Sequence, residues 1–400
     1  MTHATVRGIA ATTTVTPADL GGAAVALAAA SAANQTVAFL GGGTEIGFGY
    51  PPTRVDVLVR TERLARVVEY QPLDMVVEVE CGITLDALQR RLAPHGQRLA
   101  LDVPHPEFAT LGGLVATNAF GPRRARFGSL RDLIVGVTLI RADGARVRGG
   151  GKVVKNVAGF DIPKLAVGSL GTLGMIATAT FRLHPLPETT LGCKVTVPDG
   201  EGVVALAREI VANQLEPAAM IAVRGTSGYR VDVVFEGFTA GAQEQAERFA
   251  AIARQRGLAY EDVDPTALAA MDEGIRTHGN VRMRIAVPPA DVARTDRDAL
   301  GPLAAVLSDG RVVLYPTLGV AFVAGYADAR DAVVRALLDA RRVAEARGGN
   351  AVLLEAGDAD VAEGVDVYGS LPPSFALMRG LKDRFDPAHR LNPGRFLGRL

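Results

Sequence analysis

The residues of this sequence that are best suited to chemistry form a glycine-rich run near the start of the chain. The run consists of Gly41, Gly42, Gly43, Thr44, Glu45, Ile46 and Gly47. Glycines that follow a short apolar strand allow consecutive backbone N–H groups to approach a diphosphate without an intervening Cβ atom. A diphosphate-binding loop and a glycine-rich hairpin loop are both open interpretations of this run.

The surroundings of the glycine run argue against a dinucleotide-binding loop of the Rossmann type. Such a loop must open a helix of several turns. Pro51 and Pro52 begin four residues after Gly47, and the intervening Gly49 and Tyr50 are poor helix formers. No helix of that length fits, so a diphosphate loop between strands is the form of ligand site that stays open.

A second segment of small and polar residues follows Pro104. Its core is residues 110–121, with the sequence TLGGLVATNAFG. Glycine permits close approach of backbones in a packed helix, whereas the polar groups of Thr110, Thr117 and Asn118 must find partners if they are buried. The segment is therefore interpreted either as a tightly packed helix or as a second wall of the same ligand site.

Candidates for acid–base chemistry are scarce in the second half of the chain. His278 is the one histidine between residues 188 and 374, and His389 lies in the tail. One histidine makes neither a metal site nor a well-placed general base. We expect His278 to be a solvated or packed loop residue, and the sequence assigns no catalytic residue and no metal ligand.

Three arginines offer a different kind of substrate contact. Arg276, Arg282 and Arg284 could clamp a carboxylate, because a guanidinium group matches a carboxylate with two parallel hydrogen bonds. Arg282 and Arg284 alternate along a predicted strand, so exposure to solvent is the simpler interpretation of that pair.

The composition indicates substantial cores and no charge bias. The 400 residues exceed what one core usually supports, so roughly two to three domains are expected. The 43 basic and 43 acidic side chains cancel and give no electrostatic reason to expect nucleic acid as a partner. Cys81 and Cys193 are too few to hold an iron–sulfur cluster, and a reduced cytoplasmic setting is the default. No run of about 18 apolar residues occurs that could span a membrane.

The hydrophobic pattern predicts alternating helices and strands in the first half of the chain. A helix is predicted from Asp19 to about Ala33, another at residues 85–92 with Thr84 as its N-cap, and a third at residues 111–118. Strands are predicted at residues 36–40, 55–59, 67–80, 133–140, 145–147 and 173–183. Asp143 and Gly144 predict a two-residue hairpin turn.

Residues 184–187, with the sequence HPLP, predict a domain boundary, after which the pattern indicates an α+β layer with an antiparallel sheet. Strands are predicted at residues 193–197, 220–223, 229–235, 281–287, 312–315, 320–324 and 351–355. Helices are predicted at residues 203–213, 242–256, 329–347 and 375–385, the third of them with Asp328 as its N-cap.

Four blocks of the chain together resemble the FAD-binding domain (PCMH type) of the vanillyl-alcohol-oxidase flavoproteins. The blocks are residues 39–47, 104–128, 168–176 and 391–395. The third resembles the family pattern Gly-Ser-Glu-Gly-Thr-Leu-Gly-Ile-Ile, with Leu170 in place of the acidic residue. Residues 151–161, with the sequence GKVVKNVAGFD, further resemble the E subunits of bacterial glycolate oxidases.

The resemblance implies an α+β fold with FAD as its cofactor. It implies a PCMH-type FAD-binding domain of two small α+β subdomains at residues 1–187, an α+β cap domain with an antiparallel sheet at 188–374, and a C-terminal helix and turn at 375–400 that returns to the flavin. The residues expected at FAD are Leu40, Gly41, Gly42, Gly43, Thr44, Glu45, Ile46, Gly47, Pro104, Thr110, Gly112, Gly113, Thr117, Asn118, Gly174, Ile176, Asn392 and Arg395. Family members that link FAD covalently through the first loop have a histidine just after its glycines. Thr44 and Glu45 stand there in this sequence, so non-covalent FAD is expected.

The same resemblance implies a division of labour. Family members that oxidise 2-hydroxy acids at a metal-assisted site carry a histidine cluster in the cap, which this sequence lacks. The implied function is an FAD-containing subunit that passes electrons within a multi-subunit dehydrogenase for glycolate or D-lactate. Its implied partners are a sister flavin subunit, which binds the 2-hydroxy acid, and an iron–sulfur subunit, through which the complex could lie at the inner face of the membrane. Two alternatives stay open: a self-sufficient FAD oxidoreductase with a small carboxylate or alcohol substrate under the cap, and a degenerate subunit without flavin, against which the intact glycine loops argue.

Overall fold

The computed structural model of the chain describes residues 5–151, 160–357, 361 and 364–400. The chain forms two compact units. The first comprises Met1–Phe120, Gly128–Leu186 and Ser370–Leu400, and the second comprises Gly121–Phe127 and Pro187–Gly369. The main passage between them falls between Leu186 and Pro187, inside the HPLP segment. The roles expected for residues 1–187, 188–374 and 375–400 stay predictions.

Short strands rich in Val and Ile organise the first unit. A three-stranded parallel sheet has the order Thr13–Val15, Val57–Arg60, Val37–Leu40, and a five-stranded antiparallel sheet has the order Arg146–Gly150, Ile134–Ile140, Met175–Arg182, Val76–Glu80, Val67–Gln71. Two smaller pairs join Thr5–Val6 with Ile9–Ala10 and Gln97–Arg98 with His184–Pro185. The parallel sheet matters for the site, because its strand Val37–Leu40 runs directly into the glycine run.

The helices of the first unit begin where the sequence offers capping oxygens. They are Leu20–Ala32, Leu85–Leu92, Leu111–Thr117, Leu130–Leu133, Ile162–Ala166 and Phe375–Phe385, with 3₁₀ turns at Ala93–His95 and Leu397–Arg399. Asp19 Oδ1 accepts the N–H of Gly22 at 2.8 Å, and Thr84 Oγ1 accepts the N–H of Ala87 at 3.2 Å. The predicted N-cap Thr84 is confirmed, and Asp19, predicted to open the first helix, also caps it; each oxygen satisfies an amide that the first helical turn leaves without a partner.

The second unit is built on an eight-stranded antiparallel sheet. Its strands in spatial order are Tyr260–Val263, Thr189–Val197, Gly228–Gly237, Ala219–Gly225, Ser308–Tyr315, Val320–Tyr326, Val281–Ala286 and Asn350–Ala356. Its helices are Arg124–Phe127, Gly200–Ala212, Thr239–Gln255, Pro265–Arg276, Val292–Thr295, Gly301–Val306 and Arg330–Ala346, with a 3₁₀ turn at Pro289–Asp291 and a π-helical turn at Asp296–Leu300. The predicted α+β architecture, with an antiparallel sheet in the second half, is confirmed.

The prediction of one strand over residues 67–80 is wrong. Val67–Gln71 and Val76–Glu80 are the two arms of an antiparallel hairpin. The N–H of Asp74 donates to the carbonyl of Gln71 at 3.2 Å, and Met75 takes a left-handed conformation with φ of 53°. Because the apolar residues continue in both arms, their pattern conceals the turn between them.

Other local predictions also need correction. The helix expected behind Asp328 begins at Arg330, and Ala329 occupies the cap position without a side-chain hydrogen bond. The hairpin turn at Asp143 and Gly144 includes Ala142 as a third loop residue, because Arg141 N donates to Ala145 O at 2.9 Å and Gly144 N to Arg141 O at 2.9 Å. The strand Tyr260–Val263 and the helix Pro265–Arg276 were not predicted.

Candidate cofactor site

The glycine run leaves its strand as a series of turns and not as a helix. Residues 41–50 contain no helical segment, and the turns are closed by Ile46 N donating to Gly43 O at 3.1 Å and Phe48 N donating to Glu45 O at 3.1 Å. The prediction that no Rossmann helix follows the run is confirmed. The run is called the glycine loop below and covers residues 41–47.

The three consecutive glycines serve different purposes. A Cβ atom on Gly41 would lie 2.1 Å from Thr110 Oγ1, and one on Gly42 would lie 1.7 Å from the carbonyl oxygen of Phe108. These two glycines therefore allow close packing of the glycine loop on the segment before the small-residue helix. Gly43 has a φ of +77°, and the nearest atom to its Cβ position is Leu40 Cδ1 at 3.6 Å. Gly43 thus takes a left-handed backbone conformation, which residues with a side chain disfavour, and there is open space beside its Cα atom.

The small-residue helix, Leu111–Thr117, is both a packed element and a wall. Thr110 Oγ1 accepts the N–H of Gly113 at 3.3 Å as its N-cap. The N–H of Gly112 donates to the carbonyl of Cys81 at 2.7 Å, and a Cβ atom on Gly112 would lie 2.9 Å from that oxygen. Thr117 Oγ1 donates to the carbonyl of Gly113 at 2.9 Å. The two interpretations of this segment are therefore compatible, since the packing glycines are also on the wall of a cavity.

The C-terminal turn brings Asn392 and Arg395 to the glycine loop. Asn392 N donates to Val37 O at 2.8 Å, and Asn392 Nδ2 donates to Leu170 O at 2.6 Å. The other amide atom, Asn392 Oδ1, is buried and has no hydrogen-bond partner. Arg395 donates to the carbonyls of Ile46 at 3.0 Å and Phe48 at 2.5 Å. This guanidinium fixes the exit of the glycine loop.

One groove in the first unit unites these elements and encloses about 780 Å³ of space, including the part open to solvent. It is called the glycine-loop cavity. The predicted site residues in its lining are Leu40, Gly41, Gly42, Gly43, Thr44, Glu45, Ile46, Thr110, Gly112, Gly113, Thr117, Ile176, Asn392 and Arg395. Four segments that are distant in sequence therefore meet in one place.

Four predicted residues lie outside this lining: Gly47, Pro104, Asn118 and Gly174. Gly47 has its carbonyl bonded to Arg7 Nη1 at 2.6 Å, and Gly174 packs against the strand Ile134–Ile140. Asn118 ends the small-residue helix in a left-handed conformation, with φ of 52°, and its Oδ1 is buried without a hydrogen-bond partner. Whether any of these residues contacts FAD stays a prediction.

The lining also contains residues that were not predicted to contact FAD: Phe39, Thr61, Cys81, Ala116, Leu170, Gly171 and Met175. Leu170 and Gly171 lie in the Gly-Ser-Leu-Gly block that carried the resemblance, so both residues could have been predicted from the sequence. Leu170 has a φ of 49°, which is unusual for a bulky residue. Cys81 could not be predicted, because it joins the wall through a contact with Gly112, which is remote in sequence. Burial, together with the charges of Glu80 and Glu78, raises the pKa of the Cys81 thiol, which makes this side chain a neutral wall.

The catalytic candidates of the second unit are held by neighbouring groups. His278 Nε2 lies 3.0 Å from Asp309 O and 3.1 Å from Asp309 Oδ2, and its ring packs edge-on against Tyr326. Of the two states expected for His278, solvated or packed, the structure has the packed one, with 11% of the side chain exposed.

The three arginines are similarly occupied. Arg276 is buried, with its guanidinium 3.3 Å from Asp272 Oδ2 and over the ring of Phe322. Arg282 donates to the carbonyl of Arg276 at 2.9 Å and lies 3.4 Å from Glu355. Arg282 and Arg284 lie on the less buried face of their strand, as the alternation predicts, but both are half-buried, so the expected exposure to solvent is only partial.

The described part of the chain contains no group of three or more His, Cys, Asp or Glu side chains that could hold a metal ion. Among the same residues, no helix has the length and apolar character needed to cross a membrane.

Residues 11–150 match the profile of a known family, the FAD binding domain. The solved structure of an alkyldihydroxyacetonephosphate synthase superposes with a TM-score of 0.74 over 96% of this chain and 77% of the synthase, at 17% identity. At that identity the likeness shows the fold alone. The predicted PCMH-type fold is confirmed.

Three relatives show what this chain is similar to. The D-lactate dehydrogenase of Archaeoglobus fulgidus is 29% identical over 396 residues, which cover 90% of this chain and 85% of the relative. The glycolate oxidase subunit GlcE of Escherichia coli is 35% identical over 178 residues, covering 44% of this chain and 49% of the relative. The glycolate oxidase subunit GlcD of Bacillus subtilis is 30% identical over 181 residues, covering 45% and 38%. The chain thus spans half or less of the two glycolate oxidase subunits.

This chain is an FAD-dependent oxidoreductase, with FAD as its cofactor. Within that class it is related to D-lactate dehydrogenases and to subunits of glycolate oxidase. The narrower resemblance to the E subunit stays a prediction, and residues 152–159 of the string that carried it lie outside the described residues.

Proposed function

We propose that the glycine-loop cavity is the FAD site and that the glycine loop receives the diphosphate. Two observations support the fit. Gly43 combines a positive φ with open space, as close approach of a phosphate to backbone N–H groups requires. Asn392 presents a buried acceptor oxygen without a partner, and a buried polar atom of that kind is normally satisfied. FAD carries ring N–H, amino and hydroxyl groups that can donate to such an oxygen.

The other cavity residues have distinct proposed roles. Thr110 and Thr117 hold the small-residue helix through Gly113 and present their hydroxyls at the wall. Asn392 orients the backbone of Leu170 through its Nδ2 atom, and Arg395 holds the loop exit through two carbonyls. FAD, when bound, supplies the capacity to accept the two electrons released by oxidation of an alcohol carbon.

The flavin is expected to be released as free FAD when the protein is denatured by acid or heat. Thr44 and Glu45 occupy the positions where a linking histidine would stand, and the lining residues include no histidine or tyrosine. Cys81 is the one thiol of that lining, and its raised pKa keeps it protonated. Absorbance of the supernatant and of the precipitate after denaturation measures the outcome. Yellow colour that stays with the polypeptide after extensive washing would contradict non-covalent binding.

We propose further that the chain is an electron-passing flavin subunit of a multi-subunit dehydrogenase for a 2-hydroxy acid such as glycolate or D-lactate. The observation that carries this proposal is the state of His278, the one histidine of the second unit by sequence. Its Nε2 atom is engaged with Asp309, and its ring is packed against Tyr326. Oxidation of a 2-hydroxy acid needs a base for the hydroxyl proton. A partner subunit that supplies the acid site, and an iron–sulfur subunit that accepts the electrons, complete the proposed assembly.

A self-sufficient oxidoreductase is the second candidate. It is favoured by the near full-length similarity to the D-lactate dehydrogenase of Archaeoglobus fulgidus, of which 85% is covered. In that case the second unit would bind a small carboxylate or alcohol. Arg276 and Arg282 would then have to exchange their present contacts with Asp272 and Glu355 for contacts with the substrate.

His278→Ala is expected to change turnover by no more than about threefold, since a packed surface-loop histidine is not a proton acceptor for the reaction. The experiment purifies the complex through a tag on this chain and measures oxidation of glycolate and D-lactate, with bound FAD quantified in each sample. His389→Ala is the matched control, because His389 is paired with Asp383 at 2.7 Å in the first unit. A loss of about a hundredfold for His278→Ala alone, at unchanged FAD content, would favour the self-sufficient enzyme with His278 as its base.

A further inference from the structure

The C-terminal helix Phe375–Phe385 buries an ammonium group that no step of the proposed chemistry uses. The side chain of Lys382 is 2% exposed. Its Nζ atom donates to Asp386 Oδ2 at 2.6 Å, to the carbonyl of Thr172 at 2.8 Å and to the carbonyl of Leu391 at 3.1 Å. All three donor positions of the ammonium are therefore satisfied inside the first unit.

The two carbonyls belong to two neighbouring segments that both contribute residues to the cavity lining. Thr172 comes directly after Leu170 and Gly171, and Leu391 comes directly before Asn392. Leu170, Gly171 and Asn392 line the glycine-loop cavity. The same segments meet a second time where Asn392 Nδ2 donates to Leu170 O at 2.6 Å. Lys382 is thus the common anchor of both segments, one residue away from the lining on each side.

Asp386 holds the Lys382 ammonium in place and also binds the C-terminal turn. Its Oδ2 atom accepts both the Lys382 ammonium and the N–H of Leu391 at 2.8 Å, so the carboxylate fixes the C-terminal turn and the ammonium together. Burial lowers the pKa of Lys382, while the carboxylate of Asp386 opposes that shift.

A buried ion pair is a weak source of stability, because removing two charges from water costs about as much as their attraction returns. An apolar side chain of similar volume could fill the same space. What an apolar side chain cannot do is hold two backbone carbonyls from different segments at one point. The geometry therefore indicates a role in placing those segments and not only in filling the core.

We propose that Lys382 is a positioning residue for FAD, which holds the Leu170–Gly171 backbone and Asn392 in contact with each other at the wall of the glycine-loop cavity. This inference rests on the proposed FAD site. Because Leu170, Gly171 and Asn392 line the cavity, the loss of Lys382 is expected to change FAD retention and the environment of the bound flavin.

The test compares FAD release from the wild-type holoprotein with release from Lys382→Met and from the neutral pair Lys382→Met/Asp386→Asn. The double variant avoids an uncompensated buried carboxylate and keeps an amide oxygen for the N–H of Leu391. Release is followed by flavin fluorescence after dilution, and the visible circular dichroism of the bound flavin is recorded. We expect at least a tenfold weaker FAD affinity and an altered dichroism spectrum. Lys164→Met is the matched control, because Lys164 lies at the surface in an ion pair with Asp161, and it should retain FAD as wild type does.

Chemical rescue separates positioning from core filling. A second cavity of the first unit has Lys382 in its lining, which gives a small amine a route to the position vacated in Lys382→Ala. Ethylammonium should restore slow FAD release in that variant, whereas sodium at equal ionic strength should not.

Two outcomes overturn the proposal. One is wild-type FAD affinity and dichroism in the double variant, and the other is failure of both Lys382→Met variants to fold, which would make Lys382 a residue of the folding core. Gly43→Val distinguishes these results from an error in the FAD site itself. If FAD were bound elsewhere, Gly43→Val would keep FAD too, whereas an error about Lys382 alone leaves Gly43→Val without FAD.

Discussion

Replacing Gly43 with valine is expected to abolish FAD retention while leaving the second unit folded. The φ of Gly43 is +77°, a conformation that a β-branched residue strongly disfavours, and its Cβ position has no neighbour closer than Leu40 Cδ1 at 3.6 Å. The valine would therefore either force the glycine loop into another backbone conformation or fill the open space beside Gly43. Backbone hydrogen bonds to a charged group are worth about 1.5–3 kcal/mol each, so the loss of two weakens binding by roughly a hundredfold or more.

The measurement is the flavin-to-protein ratio after gel filtration, together with the thermal unfolding curve. Gly257→Val is the matched control. Gly257 has a similar φ of +67°, has no atom within 4 Å of its Cβ position, and lies in the second unit after the helix Thr239–Gln255. Gly257→Val therefore imposes a similar backbone strain at a position that does not line the glycine-loop cavity. FAD at wild-type occupancy in Gly43→Val would show that the diphosphate is not bound at this loop.

The glycine loop shows why part of the site could be predicted from sequence. A strand that ends in three glycines, with Pro51 and Pro52 close behind, leaves few local conformations, and the structure has the turns that follow from this. Thr84 and Asp19 are similar cases, because a cap is a contact between residues three positions apart. Local rules suffice where the determining contacts are local.

The remaining features depend on contacts that are remote in sequence. Cys81 joins the cavity wall because its carbonyl accepts the N–H of Gly112, and Lys382 reaches Thr172 across 210 positions. The hairpin within residues 67–80 was missed for a different reason, since both of its arms begin with a pair of valines and the turn between them contains no glycine. Asn392 and Arg395 were predicted to contact FAD from the resemblance to a known family, and not from periodicity.

The arginines illustrate the limit of strand alternation. Alternation of Arg282 and Arg284 with Val281, Met283 and Ile285 is present as predicted. It indicates that the arginines share a face, but not what covers that face. Glu355 on the neighbouring strand pairs with Arg282, so this charged position is half-buried in an ion pair.

The isolated chain is expected to bind FAD but to oxidise glycolate and D-lactate at least about a hundredfold more slowly than the assembled complex. A general base contributes a factor of about 10²–10⁴ to such a step, and the group best suited to that role in the second unit, His278, is engaged with Asp309. A substrate carboxylate must also be held beside the flavin, whereas Arg276 is already paired with Asp272.

Turnover with an artificial electron acceptor is measured for the chain alone and for the complex captured through it, at equal FAD content. Chemical reduction of the isolated holoprotein, followed by reoxidation with the same acceptor, is the control that its flavin can exchange electrons. If reoxidation is fast while the hydroxy acids fail to reduce the flavin, the missing element is the substrate site, as expected of an electron-passing subunit. Turnover by the isolated chain within about tenfold of the complex would instead support the self-sufficient oxidoreductase, because a group within this chain would then have to take the hydroxyl proton.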